Sequence, residues 1–315
     1  MFRTPIWLVT GFLGSGKTTL ISRLMTRNWA GERVAIVVND LGMVSVDAQR
    51  MADTASGLLE LSGGCVCCNI QDELLFGLED LLQSESAPFN RIVLEASGIS
   101  DPARIAQILE SEPLNEWVEL NRQITVVHTI RHVASRGAIV QIDNQVKGAD
   151  IILMNHYDEA TEECRRTARY AVREVNSLAP IIAANYCRVE IEELVLAAPR
   201  VQNRDTAHTG PAVGWKSCRI FFPDPVDQVA LEEAMRELPE TLVRLKGFLR
   251  AETGRILHVE RVGRDLYIEY WEGTVDPQVV GALVAIGASS LQELTSVFCF
   301  MPNVRMEYDT SLHLH

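Results

Sequence analysis

Over the first 198 residues, short apolar runs alternate with stretches whose apolar positions recur at helical spacing. The runs fall at residues 6–10, 34–38, 58–61, 92–95, 124–127, 151–154 and 181–184. Between them, residues 17–26, 71–83, 102–110 and 162–176 predict helices. Strands that are apolar throughout, rather than at every second position, are buried on both faces. That pattern predicts an α/β domain over residues 1–198, built on a mostly parallel sheet with helices on each side. Ligands of such a sheet sit beyond the carboxyl ends of its strands.

The pattern stops at residues 199–211, which are polar, aperiodic and bounded by prolines, so residues 199–213 read as a linker. From 214 to 315 the strand candidates are 215–222, 245–250, 256–262, 265–270 and 282–286, with helices at 227–238 and 289–297. Gly263 and Arg264 fit a tight turn between paired strands. The expectation is a smaller α+β domain, with helices on one face of a mostly antiparallel sheet.

Of the 315 residues, 47% are hydrophobic, enough for a sizeable core in each domain. The net charge of −13 argues against nucleic acid or an anionic membrane as a partner. No run reaches the length of a membrane span, and the chain opens without a secretory signal, so a cytoplasmic protein is expected. Seven cysteines, three of them within four residues, suit reduced thiols with a metal or redox role better than a disulfide framework. Cys164, Cys187, Cys218 and Cys299 stand apart and read as ordinary buried thiols.

The first chemical signal follows the first strand. Gly11, Gly14, Ser15, Gly16, Lys17, Thr18 and Thr19 form GxxxxGK[ST] and its continuation, after an apolar run and at the start of a helix. That is the context a phosphate loop requires. Its glycines let backbone N–H groups converge on phosphate oxygens at a helix N-terminus, where the dipole favours anions. Lys17 is expected to reach the β- and γ-phosphates, and Thr18 to ligate Mg2+.

Glu95 ends an apolar strand, with Gly98 three residues on. We expect Glu95 on the Mg2+ side and the Gly98 N–H near the γ-phosphate; the plain alternative is a carboxylate capping the helix that follows Asp101. Asp40 follows another strand on the same edge, as a group orienting the attacking water, as one holding Mg2+ at a distance, or as a plain loop residue. Asn155 and Asp158 end a further strand at the spacing used for guanine, whose N1–H and N2 amino group a carboxylate can accept. The position between them that usually carries lysine is His156.

Cys65, Cys67 and Cys68 follow two glycines. Thiolates favour Zn2+ and related soft ions over Mg2+ or Ca2+, and a site holding two or three of them keeps a position open for transfer. Buried small residues and a redox dithiol are the alternatives.

Together these segments resemble the CobW-type metal-insertion GTPases, of the same broad class as the nickel-loading GTPases of urease and hydrogenase maturation. The resemblance rests on GFLGSGKTTL at 11–20, VNDLG and VSVD within 38–47, GGCVCC at 63–68, EASGISDP at 95–102, RLKGFLR at 244–250 and LVAIG at 283–287. It implies GTP hydrolysis, Mg2+, and Zn2+ or Co2+ at Cys65, Cys67 and Cys68. It also implies a chaperone or regulatory role, here toward a client metalloprotein; nothing in residues 214–315 looks catalytic, so they read as a partner or homodimer surface. The chain departs from the family at Val38 and Met43, where acidic residues often stand, at His156, and in having no histidine-rich tract. Two readings from other classes stay open: a P-loop NTPase or kinase with inert cysteines, and a nucleotide-gated adaptor without metal transfer.

Overall fold

The central apolar run explains the architecture. Strand β1 (Thr4–Thr10) is buried at every position except Pro5. Its alternate residues serve two cores. Ile6 and Leu8 pack with Ala35, Val37, Ile92 and Leu94 beneath helices α2 (Ile70–Ser84) and α3 (Pro102–Leu109). Trp7 and Val9 pack with Ile36, Val93 and Val126 beneath α1 (Lys17–Met25). Each fully buried aliphatic side chain contributes about 1.5–3 kcal/mol, so a strand apolar on both faces is stable only between two helical layers.

The computed structural model describes residues 3–26, 29, 32–38, 58–60, 70–84, 89–135, 140–196, 216–239, 242–263, 265–287, 294, 297–298 and 301–309. Asp40, Cys65, Cys67, Cys68 and Cys299 lie outside these residues, as does most of the helix expected at 289–297. The chain divides into two compact units.

In the first unit, β2 (Val34–Val38), β3 (Leu58–Glu60), β4 (Arg91–Glu95), β5 (Val118–His128), β6 (Ile151–Asn155) and β7 (Ile181–Ala183) join β1 in a seven-stranded sheet. Its order is β3-β2-β4-β1-β5-β6-β7, and every pairing is parallel. The chain builds one side of β1 through β2, β3 and β4, then crosses to build the other through β5. The carboxyl end of β1 is therefore the switch point, where a ligand crevice opens in open α/β sheets. Strand β5 starts six residues before the expected run, because Asn121, Arg122 and Gln123 interrupt its apolar pattern. Arg122 is nonetheless buried, with its guanidinium 5.9 Å from the Trp7 ring and donating to the Leu194 carbonyl. Among the described residues of this unit, four helices not expected from the pattern are present: α4 (Leu114–Trp117), α5 (Thr129–Ser135), α6 (Val140–Lys147) and α8 (Ile191–Leu196). The fourth long helix, α7 (Glu162–Val175), follows β6 as expected.

The second unit is a six-stranded antiparallel sheet of β8 (Lys216–Phe221), β9 (Leu242–Arg250), β10 (Ile256–Val262), β11 (Asp265–Tyr270), β12 (Ala282–Gly287) and β13 (Arg305–Asp309). Helix α9 (Gln228–Arg236), capped by Asp227, packs Leu231, Ala234 and Met235 against Ile220, Leu245, Leu257 and Leu283. On Phe248 pack Ile256, Trp271, Val280 and Val284. The β10–β11 connection turns at Gly263, with φ +59°. Among the described residues, no helix is long and apolar enough to cross a membrane.

Candidate nucleotide site

The loop after β1 is held from below. The Thr10 and Thr125 hydroxyls hydrogen-bond at 2.8 Å, tying the end of β1 to β5. Gly11 then turns at φ +139°, and a Cβ there would stand 2.3 Å from the Val126 carbonyl oxygen. Gly16, at φ +108°, is the N-cap of α1, and a Cβ there would lie 2.5 Å from Asn155 Nδ2 and 3.0 Å from Cys187 Sγ. Only glycine fits either place. The first N–H groups of α1 have no intrahelical partners, which with the dipole makes this helix end an anion site. Lys17 is buried at its start, and Thr19, two residues on, is exposed. The Ser15 hydroxyl is buried and, among the described residues, has no hydrogen-bond partner. A phosphate group bound in the loop suits such a donor.

On one flank, β4 runs beside β1 with Glu95 opposite Val9. Glu95 is buried, and Thr18 Oγ1 donates to its Oε1 at 3.3 Å. A hydroxyl and a carboxylate brought together at the phosphate loop are hard oxygen donors of the kind Mg2+ takes. Glu95 does not cap the next helix; Asp101 does, accepting from the Ala103 N–H at 2.9 Å. Gly98 lies directly on the phosphate loop, since a Cβ there would be 2.8 Å from the Leu13 nitrogen. Its carbonyl accepts from Gln145 Nε2 at 2.9 Å. Gln145, buried on α6, also takes the Thr125 hydroxyl on its own carbonyl at 2.9 Å, so one residue braces both the Gly98 loop and β5. Apolar periodicity gave no sign of it, because the inward position on that helix is polar.

On the other flank stands Asn155, 1% exposed at the end of β6. Its Nδ2 donates to the Ser15 carbonyl and its Oδ1 accepts from the Cys187 N–H, both at 2.9 Å. It is a strut between the phosphate loop and the loop after β7. His156 follows at φ +56°, with its ring stacked on His128 at 4.1 Å and 8° between planes. The imidazole in the place of the usual lysine is thus packed on a second imidazole. Burial first, and then the neighbouring His156, pushes His128 down to about 3, so that ring is neutral at pH 7. Asp158 Oδ2 accepts from Asn185 Nδ2 at 2.5 Å.

The loop after β7 was not singled out from the sequence. Tyr186 and Cys187 both take positive φ, 50° and 52°. Arg23 of α1 donates to the Tyr186 carbonyl at 2.5 Å, and the Cys187 thiol donates to the Gly16 carbonyl at 3.3 Å. Burial pushes that thiol up to about 12, so it stays protonated and inert at neutral pH. The only sequence signal was its position after a strand on the same sheet edge.

A P-loop nucleotide-binding domain is the class that this sheet edge defines. Residues 5–183 match the family described as CobW/HypB/UreG, nucleotide-binding domain, and residues 215–295 match the cobalamin synthesis protein cobW C-terminal domain. The chain belongs to the CobW/HypB/UreG family, as the sequence resemblance implied. Among its relatives, the zinc chaperone YeiR of Escherichia coli is 28% identical over 293 residues, 83% of this chain and 87% of that protein. The zinc-regulated GTPase metalloprotein activator 1 of Saccharomyces cerevisiae is 30% identical over 218 residues, 61% of this chain and 51% of that protein. The chain thus spans about half the length of the yeast relative. In fold it is similar to the crystal structure of Zn(II)-bound YjiA GTPase from E. coli, with TM-score 0.50 and 24% identity over 96% of this chain and 99% of that one.

Proposed function

We propose that the protein is a GTP-hydrolysing metallochaperone that binds Zn2+ at Cys65, Cys67 and Cys68 and couples its delivery to the state of the nucleotide. The observation that carries the nucleotide half is the Thr18–Glu95 contact at the phosphate loop, a ready pair of oxygen donors beside a buried lysine. In this reading Gly11, Gly14, Ser15 and Gly16 cradle the phosphates through backbone N–H groups. Lys17 holds the β- and γ-phosphates, and the Gly98 N–H faces the γ-phosphate. Thr18 and Glu95 hold Mg2+, which when bound neutralises charge developing during phosphoryl transfer. Asp40 orients the attacking water, Asn155 keeps the base side in register with the phosphate loop, and Asp158 reads guanine.

The metal half rests on the chemistry of thiolates, which suit Zn2+ and Co2+, and on the relatives named as zinc chaperones. The cysteines lie in sequence between the Asp40 segment and Glu95, where ordering by the γ-phosphate alters the geometry of a metal site. Residues 214–315 then serve as the surface for a client metalloprotein or for a second copy.

Hydrolysis tests the nucleotide half. No arginine finger stands out in the sequence and partners often supply one, so slow turnover is expected without a partner. Lys17→Ala is expected to lower kcat/KM for GTP by about 100-fold or more, the usual loss when a charge-stabilising donor is removed. Phosphate release from the wild-type protein no faster than from Lys17→Ala would overturn the enzyme and leave a nucleotide-gated adaptor.

A further inference from the structure

The base side of the site contains a closed ring of two hydrogen bonds between residues 27 positions apart. The Asp158 N–H donates to Asn185 Oδ1 at 2.8 Å, and Asn185 Nδ2 donates to Asp158 Oδ2 at 2.5 Å. The ring fixes the amide without ambiguity, since a backbone N–H needs the carbonyl oxygen and a carboxylate needs the NH2 group. Without it the Asp158 side chain is poorly held: it is 77% exposed, and the Arg165 guanidinium stands 3.9 Å from Oδ1. Arg165 spends its closer hydrogen bonds on the Tyr157 and Asp158 carbonyls, at 2.7 and 3.1 Å.

Asn185 is itself anchored. It opens the loop in which Arg23 holds the Tyr186 carbonyl and Asn155 holds the Cys187 N–H. The carboxylate is thus tied, through one amide, to the same loop that touches Gly16. A carboxylate oxygen has two acceptor positions, so the bond from Asn185 leaves room for donors from a base.

We infer that Asn185 is a positioning residue for guanine selectivity: it holds Asp158 in the orientation that reads the N1–H and N2 amino group. The inference rests on the proposal that Asp158 reads guanine and extends it to the residue that makes the reading selective. An exposed side chain loses rotamer freedom when it is ordered on binding, and misaligned charge-assisted hydrogen bonds are weakened further. Asn185 removes both losses for guanine and has no effect on adenine, which presents neither donor.

The test is nucleotide affinity, measured by titration of GTP, ITP and ATP with Mg2+ into the full chain. Wild-type protein is expected to prefer GTP over ATP. Asn185→Ala lowers that preference about tenfold, with GTP weakened, ATP held, and ITP, which lacks the 2-amino group, weakened less than GTP. Asn185→Gln, which keeps an amide, falls between. In an Asp158→Ala background, Asn185→Ala changes the GTP:ATP ratio by less than about twofold, because the two residues act as one unit. Equal weakening of GTP and ATP in Asn185→Ala would make the residue merely structural and overturn the inference. So would an unchanged ratio, or full additivity with Asp158→Ala. A wild-type protein that binds GTP and ATP alike would instead remove the guanine reading itself, and the inference with it.

Discussion

Gly16→Ala is expected to abolish triphosphate binding and to destabilise the nucleotide domain by about 2–6 kcal/mol. Two costs combine. A side chain held at φ +108° is strained by about 1–3 kcal/mol wherever it sits. The new methyl group also meets Asn155 Nδ2 at 2.5 Å and Cys187 Sγ at 3.0 Å, and overpacking of that kind costs about 1–3 kcal/mol more. Neither neighbour can retreat cheaply, because Asn155 bonds to Ser15 and Cys187 at once. Relief by rotating the Gly16 backbone would turn the first N–H groups of α1 away from the phosphates. Thermal unfolding is expected to drop by about 5–15 °C, with no heat of GTP binding in calorimetry. A variant that melts within a degree of wild type and still binds GTP would contradict the loop conformation described here.

The second large effect falls on Asn155. Truncation to alanine leaves the Ser15 carbonyl and the Cys187 N–H without the partner they have at 2.9 Å. Each buried backbone group so orphaned costs about 1–3 kcal/mol, so Asn155→Ala is expected to lose about 2–6 kcal/mol of stability in denaturant unfolding. The useful contrast is Asp158→Ala, at a side chain 77% exposed. Its stability is expected to stay within about 0.5 kcal/mol of wild type while guanine preference is lost. Asn155 and Asp158 sit three residues apart in one motif, yet Asn155 braces the phosphate loop while Asp158, in the function proposed above, is the one that meets the base. If the two variants unfold with the same midpoint, that division of labour is wrong.

Much of this was legible in the sequence because the relevant spacing is covalent. The phosphate loop reads directly, since a strand end, three glycines, lysine and threonine are all local. Strands β1, β2, β4 and β6 read as apolar runs because both faces of each are buried, and Glu95 could be placed beside the loop because it ends such a run. What stayed hidden depends on contacts between distant segments. Gln145 braces Gly98 from a helix whose inward face is polar. His128 supports His156 from the end of a different strand. Asn185 reaches Asp158 across two strand ends. No period or motif marks such residues, since each is an ordinary polar side chain until the sheet sets it beside its partner. Strand β13 differs: residues 305–309 alternate polar and apolar, but an edge strand of five residues with two apolar positions, Met306 and Tyr308, is a short signal.

The central claim is that the nucleotide state governs a metal site at Cys65, Cys67 and Cys68. It is tested most directly by competitive titration of Zn2+ into reduced protein, with and without a non-hydrolysable GTP analogue and Mg2+, in wild type and in Cys67→Ser. A coupling free energy of ordinary size predicts a change in Zn2+ affinity of about fivefold or more on adding the nucleotide, and its loss in Cys67→Ser. A Zn2+ affinity indifferent both to the nucleotide and to the cysteine would contradict the account.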